Sequence, residues 1–140
     1  MILIQGEQMR ILIVEDDQNR IEHFKTLFKE HTLDITDSVD EAQKFLLENM
    51  YDYDMIMLDH DLGDDVYDNS NDESGYAVAC IIEKLEIKTP VIIHTQNPVG
   101  AERMYKAVPC GFKIPYPNIR DNHFTWMDVF HAIQYNYDYS

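Results

Sequence analysis

The fold is decided by one stretch near the start of the chain, Arg10-Ile11-Leu12-Ile13-Val14-Glu15-Asp16-Asp17. An apolar run that stops at carboxylates is typical of a buried parallel strand that ends at a site. The pattern returns in Met55-Ile56-Met57-Leu58-Asp59. Because ligands bind outside the carboxyl ends of the strands in open α/β sheets, we expect Asp16, Asp17 and Asp59 to meet at one edge of a parallel sheet.

Strand and helix patterns alternate along the rest of the chain, which predicts a parallel sheet with helices on both faces. The predicted strands are residues 10–15, 33–36, 55–59, 91–95 and 110–114. The predicted helices are residues 18–30, 39–49, 75–85, 98–108 and 126–136, with N-caps at Asp17, Ser38, Ser74, Asn97 and Thr125.

The chain length of 140 residues suits a single domain over residues 9–140, because a fold of this size buries roughly 70% of the surface of its unfolded chain. Residues 1–8 are compatible with a flexible lead, an alternative start or an extra edge strand. No apolar run approaches the roughly 20 residues of a membrane helix, and none has the flanks of a signal peptide. We therefore expect a cytoplasmic protein in which Cys80 and Cys110 are buried thiols rather than a disulfide.

The net charge of −15, from 26 acidic and 11 basic side chains, argues against one class of function. Duplex nucleic acid is held mainly by Lys and Arg on its phosphates, so we expect no broad binding to duplexes or to anionic membranes. A small phosphate ligand, or a nucleic-acid end reached through a metal ion, is compatible with this charge. One cation and a helix N-terminus are enough to bind such a group locally.

Asp16, Asp17 and Asp59 are the candidate ligands for Mg²⁺ or Mn²⁺, which are hard cations that take oxygen ligands. Carboxylates that close two central strands are costly without a partner. The alternative is that Asp17 only caps a helix and the other two are solvated loop acids. In the cation hypothesis, Asp59 lies nearest the reacting phosphate.

The segment Asp59-His60-Asp61-Leu62-Gly63 brings further candidate groups to this edge. If the strand continued, Asp59 and Asp61 would face one side and His60 the other; beyond the strand, either His60 or Asp61 could turn over the site. His60 suits acid–base chemistry near neutral pH and equally suits a packing role. Asp61 is compatible with a ligand, a general base or a turn residue.

A second polar segment follows the fourth strand, His94-Thr95-Gln96-Asn97-Pro98-Val99-Gly100. His94 and Thr95 face opposite ways, so at most one points straight at the site. Thr95 could donate a hydrogen bond to a phosphoryl oxygen. Asn97 opens a helix whose free N–H groups, with little bulk at Gly100, would form an anion cradle; an ordinary capped helix is the alternative.

Lys113 and Arg103 are candidate positive charges for a phosphate, although a strand-edge Lys is also common as a surface residue. The acidic loop at residues 63–73 does not fit the spacing of a calcium loop, which favours a solvated flap that could close over a ligand. The sequence shows no nucleophilic Ser or Cys beside a base, and no phosphate-binding glycine loop of either familiar kind.

In this order, the features resemble the receiver domain of bacterial response regulators over nearly everything after Gln8. In that family an acidic pair after the first strand holds Mg²⁺, an Asp ending the third strand accepts phosphate, a Thr or Ser ends the fourth, and a Lys ends the fifth. The matching residues here are Asp16, Asp17, Asp59 and Thr95. The resemblance implies a flavodoxin-like three-layer α/β/α sandwich with a five-stranded parallel sheet in the order 2-1-3-4-5.

The chain departs from ordinary receivers at two places. Residues 60–63 replace a short apolar pair and a proline, and Ile114 separates Lys113 from Pro115, whereas the family's Lys is usually followed directly by Pro. Two segments, 58–63 and 94–104, resemble instead a divergent group described as cyclic-phosphate-processing receivers, thought to act on cyclic phosphates in nucleotides or at RNA ends. That resemblance implies that the acidic pocket also includes the side chains of His60, Asp61, His94 and Asn97.

The leading prediction is a metal-dependent receiver-like domain that binds or hydrolyses a cyclic-phosphate nucleotide or a cyclic-phosphate RNA end. His60 or His94 would act as general acid or base, and Asn97 with its helix would steady the phosphate. One rival is a stand-alone receiver phosphorylated on Asp59 by a histidine kinase. A second rival is a binding module that sequesters a nucleotide without turnover.

Overall fold

The structure is a computed structural model that describes residues 8–61, 74–108 and 111–121. Within these residues, five strands form one sheet: β1 (Arg10–Val14), β2 (Thr32–Thr36), β3 (Met55–Leu58), β4 (Val91–Ile93) and β5 (Gly111–Lys113). The same residues contain five helices that connect or follow the strands: α1 (Gln18–Leu27), α2 (Val39–Glu48), α3 (Gly75–Lys84), α4 (Pro98–Ala107) and α5 (Tyr116–Arg120). The strands pair in the order β2-β1-β3-β4-β5, every pair parallel, which confirms the predicted flavodoxin-like fold.

Alternation along the strands builds the three layers, because successive side chains of a strand point to opposite faces. Leu12, Val14, Ile56, Leu58 and Ile93 belong to the core cluster that also contains buried side chains of α2, α3 and α4. The intervening strand residues belong to a second cluster with α1 and α5. Both faces of the central strands are therefore covered, which explains their continuous apolar sequence.

Capping side chains begin three of the helices where the sequence predicts them. Asp17 Oδ1 accepts hydrogen bonds from the backbone N–H groups of Asn19 and Arg20, and Ser38 Oγ accepts one from Glu41. Asn97 does the same for Gly100 in α4. Ser74 precedes α3 as predicted, but its side chain makes no capping hydrogen bond.

The element ends differ from the prediction by a few residues. β1, β3 and β4 stop at Val14, Leu58 and Ile93, so the polar residues that follow them lie just beyond the strands. Their backbones nevertheless stay in line with the sheet, because Glu15 N–H donates to Thr36 O and Asp59 N–H donates to Val14 O. The sheet therefore holds these polar residues in fixed places.

The segment at 115–123, predicted as a loop, contains the short helix α5. Proline is tolerated in the first turn of a helix, so Pro115 and Pro117 do not prevent it. Tyr116 and Ile119 are buried three residues apart on its inner side, so contact with the α1 layer stabilises this turn.

Some other predictions fall partly or wholly outside the described residues. Cys80 is a free cysteine and is half-buried rather than buried, while Cys110 lies outside the described part of the chain. Three other predictions lie outside it: the helix at 126–136, the lead before Gln8, and the acidic flap within residues 62–73. Within the described ranges, no helix combines the length and apolar character needed to cross a membrane.

Candidate functional site

One polar pocket opens at the carboxyl edge of the sheet, where the ends of β1, β3 and β4 lie side by side. Its volume is about 570 Å³. The residues that line it are Asp16, Asp17, Arg20, Asp59, Asp61, Thr95, Gln96, Asn97 and Pro98. The structure thus brings together six of the predicted site residues from three separate segments of the chain.

Glu15 lies at the base of this site and was not among the predicted residues. Its carboxylate is fully buried and accepts hydrogen bonds from the backbone N–H groups of Asp16, at 3.0 Å, and Asp17, at 3.3 Å. A signal was present in the sequence, because a charged residue that directly extends a wholly buried strand cannot reach solvent. The prediction treated Glu15 as the end of the strand rather than as part of the site.

Glu15, Asp59 and His94 form a buried cluster beneath the pocket. One ligand-type atom from each lies within 4.8 Å of the others, and all three residues are buried. His94 Nε2 and Glu15 Oε1 are hydrogen-bonded at 3.0 Å. Two oxygen donors and one imidazole nitrogen at this spacing are able to surround one divalent cation.

Burial shifts the pKa of each group in the cluster toward its neutral form. It raises the pKa of Glu15 and raises the pKa of Asp59 to about 7, and it lowers the pKa of His94 to about 4. These shifts arise because burial disfavours the charged form of each group; for Glu15 and Asp59, the hydrogen bonds and nearby positive charges that lower the pKa do not offset it. A cation bound among these carboxylates would favour their ionised forms.

Asp16 and Asp17 differ in what holds them, although both line the pocket. Asp17 Oδ1 is already used as the N-cap of α1, at 2.9 Å from Asn19 N. Asp16 is half-buried at the pocket wall. The predicted pair therefore shares the pocket with Asp59, while Glu15 is the acid whose carboxylate lies within 4.8 Å of the Asp59 carboxylate.

His60 and Asp61 separate at the end of β3, so that Asp61 lines the pocket and His60 is buried behind it. His60 Nδ1 lies 2.9 Å from Asp61 Oδ1, and the same oxygen accepts a weak hydrogen bond of 3.4 Å from Asn97 Nδ2. Among the described residues, His60 Nε2 has no hydrogen-bond partner. His60 therefore does not line the pocket, but it is hydrogen-bonded to Asp61, which does.

His94 and Thr95 also separate, as strand alternation predicts. Thr95 lines the pocket and accepts a hydrogen bond from Asn97 N–H at 3.1 Å. His94 is fully buried beneath it, with its ring edge-on to Phe24. Within the described ranges, His94 Nδ1 has no partner, and neither His60 nor His94 lines the pocket.

Gly100 has a different role from the one predicted. Its N–H donates to Asn97 Oδ1 at 3.0 Å, so this group is capped rather than free for an anion. A Cβ on Gly100 would lie 2.4 Å from His60 Cγ. The absence of a side chain therefore makes room for the His60 ring, not for a phosphate.

Lys113 and Arg103 are both directed elsewhere. Lys113 Nζ donates to Glu102 Oε2 at 2.9 Å and lies over the ring of Tyr105. The Arg103 guanidinium lies 4.2 Å from the centre of the Tyr76 ring. Neither is among the described residues that line the pocket. Arg20 does line it, although the sequence analysis did not select this residue.

Residues 10–109 match the family described as the cyclic-phosphate processing receiver domain. This chain belongs to that family. The match covers β1 to the end of α4 and so includes every residue that lines the pocket. It also confirms the resemblance to receiver domains of the response-regulator type.

A curated relative supports the assignment to the response-regulator receiver superfamily. A cell cycle response regulator, CtrA of Brucella ovis, is 29% identical over 85 residues, which cover 61% of this chain and 33% of the regulator. The chain thus spans about a third of the length of this relative. The relative therefore includes a large region with no counterpart in the residues compared.

Solved structures share the fold of this receiver. A CheY-like receiver domain protein from Methanospirillum hungatei has a TM-score of 0.68 at 18% identity, over 96% of this chain and 100% of that one. CheY in a complex with CheX, BeF3 and Mg²⁺ from Borrelia burgdorferi has a TM-score of 0.61 at 14% identity, over 76% of each chain.

Proposed function

We propose that this receiver binds a divalent cation and a cyclic-phosphate ligand, either a nucleotide or an RNA end, in the pocket at the carboxyl edge of its sheet. One observation carries the proposal: the same pocket is lined by carboxylates and by uncharged polar side chains. Asp16, Asp17 and Asp59 supply the carboxylates, and Thr95 and Asn97 supply the uncharged polar groups.

The donor set fits Mg²⁺ or Mn²⁺. Asp59 and Glu15 are buried carboxylates within 4.8 Å of each other, and Asp16 lines the same pocket as Asp59. Oxygen donors of this kind are what hard divalent cations take, and the cation offsets the cost of burying these charges. When bound, the cation would polarise the phosphoryl group of the ligand.

The uncharged polar side chains and Asp61 would orient the phosphate. Thr95 Oγ1 can donate to a phosphoryl oxygen while it accepts from Asn97 N–H. Asp61 is held by His60 through Oδ1, so Oδ2 is the atom suited to take a proton from the ligand or return it. The role predicted for His60 then becomes one of positioning Asp61.

The size of the pocket favours a nucleotide over a bare phosphoryl group. Its volume of about 570 Å³ lies within the range of small-molecule sites, roughly 300–1,000 Å³. In addition, Lys113 is paired with Glu102 rather than directed at Asp59. Both observations favour the hypothesis of a cyclic-phosphate ligand over that of a site that holds only a phosphoryl group.

The test is a panel of 3′,5′- and 2′,3′-cyclic nucleotides and an RNA oligonucleotide with a 2′,3′-cyclic phosphate end, each with Mn²⁺ and with EDTA. Binding is measured by calorimetry and cleavage by chromatography. We expect Mn²⁺-dependent binding that Asp59→Asn removes, and cleavage that Asp61→Asn lowers at least about tenfold. Asp52→Asn, an exposed acid in the loop before β3, is the control.

The panel also separates the alternatives. Micromolar binding without cleavage supports a module that sequesters its ligand. Mn²⁺ uptake without binding of any member rejects the cyclic-phosphate proposal, and failure to take up Mn²⁺ or Mg²⁺ rejects the cation site itself.

A second candidate function is phosphorylation of Asp59 by a kinase partner. It is favoured by the position of Asp59, which lies in the pocket directly after β3, with Thr95 just beyond the end of the neighbouring strand β4. Acetyl phosphate with Mg²⁺ would then yield an acid-stable, base-labile adduct on the wild-type protein and none on Asp59→Asn. Mass spectrometry of the intact protein measures it.

A further inference from the structure

Arg20 lies in the first turns of α1 with its side chain at the pocket wall. Its guanidinium is 4.8 Å from the centre of the Tyr116 ring, so an aromatic face of α5 supports it. Arg20 Nη1 lies 3.6 Å from Glu15 Oε1 and 3.9 Å from Asp59 Oδ1. The side chain is about one-fifth exposed and lines the pocket.

At these distances Arg20 is close to both acids without a direct hydrogen bond to either. Both distances exceed the 2.7–3.2 Å or so of an N–H···O hydrogen bond. By contrast, Arg10 at the other end of β1 makes contacts of 2.9 Å with Asp34 and with Asn49. The Arg20 guanidinium is therefore near the two buried acids without being fixed by their oxygens.

Charge distribution singles out the same residue. All 11 Lys and Arg side chains of the chain fall within the described residues, and Arg20 alone among them lines the pocket. Four aspartates line the pocket and repel a phosphate, so a positive charge besides the cation would favour its binding. Lys113, the residue predicted for this task, is paired with Glu102 on the surface.

We propose that Arg20, and not Lys113, is the basic residue that binds the phosphate of the ligand. The inference rests on the proposed function. When a divalent cation takes over the charges of Glu15 and Asp59, the guanidinium no longer compensates them and its planar fork is free to bind two phosphate oxygens. Arginine suits this role because it donates two parallel N–H bonds to a phosphate, and Tyr116 limits its motion.

The test compares Arg20→Met, Arg20→Lys and Lys113→Met with the wild-type protein. Lys25→Met, an equal charge change at an exposed position of α1, is the control. Calorimetry first measures the affinity for MnCl₂ alone. It then measures the affinity for 2′,3′-cyclic AMP and for inorganic phosphate at saturating Mn²⁺.

We expect Arg20→Met to weaken phosphate binding about thirtyfold, as loss of a charge-assisted pair of hydrogen bonds implies. Its affinity for Mn²⁺ should be unchanged or higher, because a positive charge near the two acids is removed. Arg20→Lys keeps the charge but loses the fork, so its loss should be intermediate. Lys25→Met should bind like the wild-type protein.

Three results overturn the inference while leaving the proposed function intact. One is wild-type phosphate affinity in Arg20→Met. Another is a loss in Lys113→Met that exceeds the loss in Arg20→Met. The third is an equal fall in Mn²⁺ and phosphate affinity in both Arg20 variants, which would show that Arg20 only supports the fold of the site. If the wild-type protein binds Mn²⁺ but neither phosphate probe, the proposed function fails together with this inference.

Discussion

The amino and carboxyl ends of the sheet differ in how closely their acidic side chains are paired with arginine. At the amino end, Arg10 contacts Asp34 through Nε at 3.1 Å and Nη2 at 2.9 Å, and Nη1 donates to Asn49 Oδ1 at 2.9 Å. Tyr53 OH donates to Asp34 at 2.7 Å. Every charge in this network has a hydrogen-bonded partner.

At the carboxyl end, Glu15 and Asp59 are more deeply buried, yet Arg20 reaches them only at 3.6 and 3.9 Å. Burial raises the pKa of both acids. In the amino-end network, by contrast, the carboxylate of Asp34 is directly hydrogen-bonded to the guanidinium of Arg10. The difference indicates that the amino end serves stability, whereas the carboxyl end keeps binding capacity for a cation at some cost in stability.

The largest expected effect comes from Gly75→Ala at the start of α3. A Cβ there would lie 1.8 Å from the backbone oxygen of Asp59, so either α3 or the end of β3 must shift. We expect a loss of about 3 kcal/mol or more in the free energy of unfolding, and loss of Mn²⁺ binding. Urea denaturation and calorimetry measure these.

Helix propensity predicts the opposite sign for this substitution, since Ala in a helix is favoured over Gly by up to about 1 kcal/mol. A stabilised Gly75→Ala would therefore show that α3 does not press on Asp59. Gly111→Ala is the comparison, because its added methyl group would stand 3.0 Å from Val108 O and requires only a small adjustment.

A smaller effect, of opposite sign, is expected for Asp59→Asn without divalent cations. An acid whose pKa rises from 3.8 to about 7 on folding costs stability that grows as the pH rises through this interval. Removing the acid should therefore raise the free energy of unfolding by about 2 kcal/mol at pH 8 and by less at pH 5. Urea denaturation in EDTA at both pH values measures the difference.

Asp52→Asn, at an exposed position, should change stability by no more than about 0.5 kcal/mol at either pH. A destabilised Asp59→Asn, or a gain of equal size at both pH values, would contradict the contrast between the two ends of the sheet.

The smallest of these effects is expected for Arg10, in the hydrogen-bonded network at the amino end of the sheet. Arg10→Met removes charge-assisted hydrogen bonds. Within this network, the partly buried Asp34 then keeps only its hydrogen bond from Tyr53. Because the Arg10 side chain is about one-third exposed, we expect a loss of about 1 kcal/mol, with no change in Mn²⁺ affinity. Lys44→Met on the exposed side of α2 is the control, and an unchanged Arg10→Met would show that the network is not stabilising.

Most of the fold could be predicted because its signals are local. Apolar runs at 10–15 and 55–59 and caps such as Asp17 and Asn97 need only neighbouring residues to act. Helix α5 could not be predicted in this way. It forms because Tyr116 and Ile119 pack on the α1 layer, a contact between parts of the chain about 90 residues apart.

The sequence by itself determined which strands end in acids and hence that Asp16, Asp17 and Asp59 share one edge, since parallel strands bring their carboxyl ends together. Only the tertiary structure decided which neighbours enter the site. Glu15 and Arg20 join it, while His60 lies behind Asp61 and Lys113 is paired with Glu102. The reason is physical: strand ends are fixed by hydrogen bonds along the backbone, but the direction of a side chain beyond a strand depends on packing against other elements.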